Sequence, residues 1–148
     1  MTTCDNAKEF LSGLVTDLKL DLTVSSEWSD DGCMLNLEGE DSHFAMAENG
    51  ELLDAFETLL FQLYGRDLDR EHRFVVDAEG FRKTRKAELH AMGKFAAEQV
   101  RKNGRPFTFG ILNSTERRII HTSLQKEEDL FTESVGDGRD RRLQVRLQ

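Results

Sequence analysis

The run Leu112-Asn113-Ser114-Thr115-Glu116-Arg117-Arg118-Ile119-Ile120-His121 decides how the second half of this chain folds. Asn113 with Glu116 three residues on is a helix-start pairing: the amide oxygen accepts from the third helical N–H while the carboxylate reaches back to the N–H of Asn113. Glu116 also sits near the positive end of the helix dipole. Beyond that start, Ile120 and Leu124 share one flank with Ile119 beside them, and Arg117 and His121, one turn apart, stack on the opposite, wetter face. Arg118 and Gln125 extend that face. A guanidinium gives a planar fork of donors for phosphate and a flat surface for a base. An imidazole adds a ring, a donor and a proton equilibrium near neutrality. The two together suit a single strand, which needs phosphate neutralisation and a π-surface. A bare R-x-x-x-H also occurs by chance on solvated helices, so the neighbouring sequence has to decide.

Downstream, Leu130-Phe131-Thr132-Glu133-Ser134 reads as a strand, Gly136-Asp137-Gly138 as a turn and Leu143-Gln144-Val145-Arg146-Leu147 as a last strand of period two. Arg139, Arg141, Arg142 and Arg146 surround that turn and strand, with Arg142 and Arg146 on one face. Upstream, Gly80 to Lys102 predicts a long helix with Phe81, Leu89, Met92, Phe95, Ala96 and Val100 as its apolar stripe. Asn103-Gly104 and Pro106 stop it, and Phe107-Thr108-Phe109 gives a short strand. Arg82, Lys83, Arg85 and Lys86 crowd the first two turns of the long helix, either as part of a basic surface or as an ordinary solvated face.

The run L-N-S-T-E-R-R-I-I-H, with T-E-S-V-G-D-G-R-D-R-R-L after it, resembles the R-three-H (R-x-x-x-H) domain, a single-stranded nucleic-acid-binding module. The resemblance implies that Arg117 and His121 contact nucleic acid, with Arg118 next; Arg139, Arg141 and Arg142 are added as nucleic-acid-binding candidates from the basic cluster around the last turn and strand.

In the first half, Asp5 to Leu18 is an amphipathic helix by spacing, and Leu20 to Trp28 a strand. Ser29-Asp30-Asp31-Gly32 turns the chain into a returning strand, Cys33 to Leu37. Trp28 reads as a packing anchor rather than a base platform, because its surroundings are acidic. A short segment, His43 to Met46, leads through Ala47-Glu48-Asn49-Gly50 to a helix with Leu52, Leu53, Phe56, Leu59, Leu60, Leu63 and Tyr64 inward, ending at Gly65. Arg73 to Asp77 is a third strand. This order resembles a type II KH domain. A-E-N-G-E-L-L-D-A-F followed by F-V-V-D-A-E-G-F-R is similar to the bacterial SpoIIIJ-associated (Jag/KhpB) family, in which a KH domain precedes an R-three-H domain. The expected fold is therefore α+β: a type II KH-like domain over residues 1–79 (helix, hairpin, two helices, strand), then a small α/β domain over 80–148 with a three-stranded sheet and two helices. The additional N-terminal domain of many family members is not expected within these residues, and its functions are not carried over.

KH domains grip the sugar-phosphate chain through a G-x-x-G turn, where missing Cβ atoms let backbone amides come close. Here the turn is Ala47-Glu48-Asn49-Gly50, with a methyl at the first glycine position and a carboxylate where phosphate would lie. Repulsion between unit charges at ~4 Å is on the order of 4 kcal/mol at an effective dielectric near 20, before salt screening. The KH half is expected to be weakened for RNA and free to serve protein contact or dimerisation.

The chain's net charge of −8 hides an asymmetry: residues 1–79 hold 5 basic and 19 acidic side chains, net −14, and residues 80–148 hold 15 and 9, net +6. Phosphate affinity follows the local field, so a polyanion partner is expected for the second half only. No apolar run approaches a membrane span and Met1 to Asn6 lacks a signal-peptide layout, so a cytoplasmic protein with no membrane partner is expected. Cys4 and Cys33 lie far apart with no ligand spacing nearby, and neither a disulfide nor a zinc site is expected; Cys33 reads as a small core residue. Glu116 and His121 lack a nucleophile, metal cluster or phosphate loop beside them, so no catalytic residues, metal or cofactor are expected. The expected function is binding of single-stranded RNA, or of single-stranded DNA in its place. The resemblance implies pairing with another small KH protein, and the acidic KH surface offers a homodimer as the other protein partner. The alternative is a protein-interaction adaptor that uses the acidic half, with nucleic acid secondary.

Overall fold

The computed structural model describes residues 2–148 and is α+β, with four helices and two three-stranded sheets among the described residues. It divides into a first unit up to Lys83 and a second from Thr84 to Gln148.

In the first unit, α1 (Thr3–Asp17) starts at a capping box in which Thr2 accepts from Asp5 N–H and Asp5 answers to the N–H of Thr2. The hairpin β1 (Thr23–Ser29) and β2 (Gly32–Glu38) is antiparallel, and β3 (Arg73–Ala78) joins β2 in parallel, giving the order β1-β2-β3. Leu11, Leu35, Leu37, Leu53 and Leu60 are fully buried in this unit, each worth roughly 1.5–3 kcal/mol of burial.

Helix α2 (Ser42–Tyr64) is broken at the expected turn. Ala47 is extended (φ −62°, ψ 158°), and Glu48, Asn49 and Gly50 follow with φ of 52°, 59° and 82°. Left-handed backbone favours glycine, and Gly50 has a second reason to be one. A Cβ there would lie 2.6 Å from the Phe81 ring. Ala47 needs no such freedom.

Three expectations are corrected in this unit. Leu63, expected inward on α2, is 50% exposed in its last turn. Cys4 and Cys33 form a disulfide, with Cα atoms 5.5 Å apart across a separation of 29 residues. The first turn of α1 packs on the sheet beside buried Cys33, which brings the pair within bridging range. Trp28 is not a packing anchor: it is 56% exposed on edge strand β1, with its ring 4.8 Å from that of His72.

Near the unit's end, Arg82 donates to Asp54 (2.9 Å), Glu57 (2.7 Å) and the carbonyl of Val76 (2.8 Å). Burial nevertheless pushes the Glu57 carboxyl up to about 7, against the pull of Arg82 and with the help of Asp54.

In the second unit, α3 (Phe81–Asn103) and α4 (Ser114–Leu124) pack on the sheet β4-β6-β5, formed by Phe107–Thr108, Arg142–Leu147 and Leu130–Val135, with both pairings antiparallel. Leu89, Val100, Ile120, Leu143 and Val145 make its core. The two helices approach closely at Gly93, where a Cβ would meet Ile120 and Ser123 at 3.4 Å. Phe95 leaves the expected stripe: it is 53% exposed and stands edge-on to Phe107.

Candidate nucleic-acid interface

Asn113 caps α4 as its sequence dictates. Its Oδ1 accepts from the N–H of Glu116 at 2.8 Å, and its own N–H donates to Glu116 Oε1 at 3.2 Å. The other Glu116 oxygen is engaged as well, by Arg85 Nε of α3 at 2.6 Å. Glu116 is 5% exposed, so this ion pair ties the start of α4 to α3 from within the unit. Burial alone would lower the pKa of Arg85, but the hydrogen bonds it donates to Glu116 and Glu88, with their negative charge, outweigh it and raise the value.

Arg117 is half-buried and already braced. Its Nη1 donates to the carbonyl of Leu112 at 2.7 Å and to that of Arg141 at 3.3 Å. One turn on, His121 Nδ1 is hydrogen-bonded to the hydroxyl of Thr132 on β5, which leaves Nε2 as the ring nitrogen without a partner among the described residues. Arg117, Arg118, His121 and Arg141 line one groove of about 320 Å³, with the hydroxyls of Ser114, Thr132 and Ser134 between them. Glu133 is its one acidic residue.

Arg139 and Arg142 are not brought to that groove. Strand register explains Arg142. Leu143 and Val145 of β6 pair with Ser134 and Thr132 on the face that packs α4, so Arg142, Gln144 and Arg146 stand on the other face. There Arg146 lies over the Phe131 ring at 4.4 Å. Arg139 sits in the single helical turn Gly138–Asp140.

The basic group at the start of α3 divides. Arg82 and Arg85 are engaged by carboxylates, as is Arg101 farther along, which binds Glu127 (2.9 Å) and Asp129 (2.8 Å) and holds the Asp129 carboxyl below its usual range. Among the described residues, no carboxylate comes within 4.0 Å of the amines of Lys83, Lys86 and Lys126 or of the guanidinium of Arg118. The described residues also contain no group of three or more His, Cys, Asp or Glu able to hold a metal ion, and no helix long and apolar enough to cross a membrane.

Comparison with known proteins agrees with this geometry. The family model of the R-three-H domain matches residues 87–147, the span that carries most of α3, all of α4, the sheet and the Arg117–His121 groove. Residues 87–147 are therefore similar to an R-three-H domain. The chain is 28% identical over 146 residues to the RNA-binding protein KhpB of Clostridium symbiosum, covering 97% of this chain and 66% of that one. It is 30% identical over 129 residues to the RNA-binding protein KhpB of Bacillus subtilis (strain 168), covering 86% and 61%. The R-three-H match and the two KhpB relatives support the resemblance to the SpoIIIJ-associated (Jag/KhpB) family. The chain spans about two thirds of the length of these relatives.

Proposed function

We propose that this protein binds RNA without catalysis, and that its second unit takes a single strand through the groove of Arg117, His121, Arg118 and Arg141. The observation that carries the reading is the braced guanidinium of Arg117 one turn from the free ring edge of His121, in a groove with a single acidic residue. Arg117 and Arg118 supply charge for phosphate, and the imidazole a stacking and donor edge. Recognition of this kind is largely blind to base identity, so sequence preference is modest and single-stranded DNA is a competitor. Arg139 and Arg142 strengthen the surrounding field rather than the groove. The first unit, in this reading, is a type II KH-like domain over residues 1–79 whose Ala47-Glu48-Asn49-Gly50 turn is weakened for RNA by the exposed Glu48 carboxylate.

Fluorescence anisotropy of the full chain with labelled single-stranded RNA tests this. Arg117→Ala with His121→Ala is expected to weaken binding by at least about tenfold and to flatten the salt dependence by about 0.7 for each phosphate no longer neutralised. Circular dichroism checks that the unit stays folded. Unchanged affinity in the folded double variant would overturn the reading. A second reading, a protein adaptor centred on the acidic unit, is favoured by Trp28, Phe44 and Phe61, each more than half exposed there. It expects partner capture to survive the same double substitution.

A further inference from the structure

On the opposite flank of α4 from His121 lies a second groove, about 550 Å³, between α3 and α4. Lys86 and His90 face it from one helix, four residues apart and therefore on one side. Arg118 and Thr122 face it from the other, and Lys126 lies just beyond the end of α4. Half-buried Ile119 adds an apolar surface between them. Among the described residues no carboxylate lines this groove, although the same two helices and the segment after α4 carry Glu88, Glu98, Glu116, Glu127 and Glu128. Glu88, Glu116 and Glu127 are paired with arginines elsewhere.

Helix electrostatics explains only part of that sorting. A cation near a helix C-terminus is favourable on its own, which accounts for Lys126. It does not account for Lys86, nor for Arg118 in the first turns of α4, where a positive charge opposes the dipole. Arg118 also lines the Arg117–His121 groove, so it is the point at which the two grooves meet. A polyanion leaving the first groove over Arg118 would next meet Lys86 and Lys126, with Ile119 beneath it.

We infer that the α3–α4 groove is a second binding segment for the same single strand, with Lys86 and Lys126 holding phosphates and Ile119 and Thr122 contacting sugar or base. This rests on the reading of the Arg117–His121 groove as the first segment. The strand crosses α4 at Arg118, and the His90 ring supplies a further donor or stacking edge. Site size then exceeds what the first groove alone accommodates.

The test uses the full chain with single-stranded oligouridylates of about 4 and about 12 nucleotides, bracketing the usual range of single-strand site sizes. The wild-type protein is expected to bind the longer probe more tightly. Lys86→Ala with Lys126→Ala is expected to lose about tenfold on the longer probe and nothing on the shorter, with the salt slope reduced by about 1.4 for two phosphates. Thr122→Glu, which places a carboxylate in the groove, is expected to reproduce the loss on the longer probe. Both lysines and Thr122 are exposed, so thermal unfolding is expected to be unchanged. Equal affinities and slopes in wild type and the groove variants, with Arg117→Ala/His121→Ala still weakening binding by at least about tenfold, overturn the second segment alone. Failure of the wild type to bind either probe overturns both readings.

Discussion

Two glutamates show how differently the two units treat negative charge. Glu48 lies in the break of α2, exposed, on a left-handed residue, with its carboxylate turned to solvent beside the turn's backbone. Glu116 lies in the first turn of α4 and is buried, one oxygen on the helix cap and the other on Arg85. Both stand at a helix end, where backbone N–H groups favour an anion. In the first unit the protein's own charge is left outside, at the turn that the proposed reading takes as weakened for RNA. In the second it is folded inward, and the outer face is left to Arg117, Arg118 and His121. Under the proposed function, the position of a carboxylate, more than its presence, decides which unit suits a polyanion.

The largest effect that could break this contrast is at Glu116. Glu116→Ala removes the cap partner and leaves Arg85 poorly exposed without its main counterion, and is expected to destabilise the second unit by about 3–5 kcal/mol in denaturant unfolding. Glu116→Gln keeps the cap acceptor and should cost less. A loss below about 1 kcal/mol for the alanine variant would mean that the inward carboxylate does not tie the helices together.

In the first unit the comparable tie is covalent. Closing a loop of about 30 residues constrains the unfolded chain by about 3.5 kcal/mol, so Cys4→Ser with Cys33→Ser should lower the first unit's transition and leave the second's in place. Equal shifts in both transitions would contradict that division.

Glu57 sharpens the contrast by pH. Its folded carboxyl titrates near 7 against an ordinary 4.5, so between those values the folded unit holds a proton that the unfolded chain has released. Stability of the first unit therefore falls as pH rises from about 4.5 to about 7, by about 2 kcal/mol after allowance for the partial exposure of Glu57 beside Arg82, Asp54 and Arg73. Glu57→Gln is expected to raise stability at pH 7 and flatten that slope; an unchanged slope would assign it to another group. The smallest effect expected is at Glu48. Glu48→Lys should tighten RNA binding by the full chain up to about tenfold, roughly 1.4 kcal/mol, at low salt.

What was legible in the sequence was local. The Asn113–Glu116 cap, the strand alternation of Leu143 to Leu147 and the turn at Ala47 to Gly50 each involve residues a few positions apart, and each took its expected form. The pairings that escaped span the chain. Cys4 meets Cys33 only because α1 lies on the sheet, and Arg85 meets Glu116 across 31 residues through the packing of α3 on α4. Parity showed that Arg142 and Arg146 share a face of the last strand. Only the register with β5 showed that this face points away from α4. Exposed Trp28 and Phe95 fit their periodic patterns and still lie outside the cores, because no second layer covers them within their units.

The grip of two main-chain carbonyls on Arg117 carries a thermodynamic consequence. Immobilising a long side chain on association commonly costs about 0.5–1.5 kcal/mol. Here most of that entropy is surrendered while the domain folds, so in the proposed binding mode the ordering that remains falls on the nucleotide chain. Calorimetry should then register ligand stiffness directly: stacked, purine-rich strands arriving with little disorder to lose, and floppy uridine tracts with the heaviest entropic handicap.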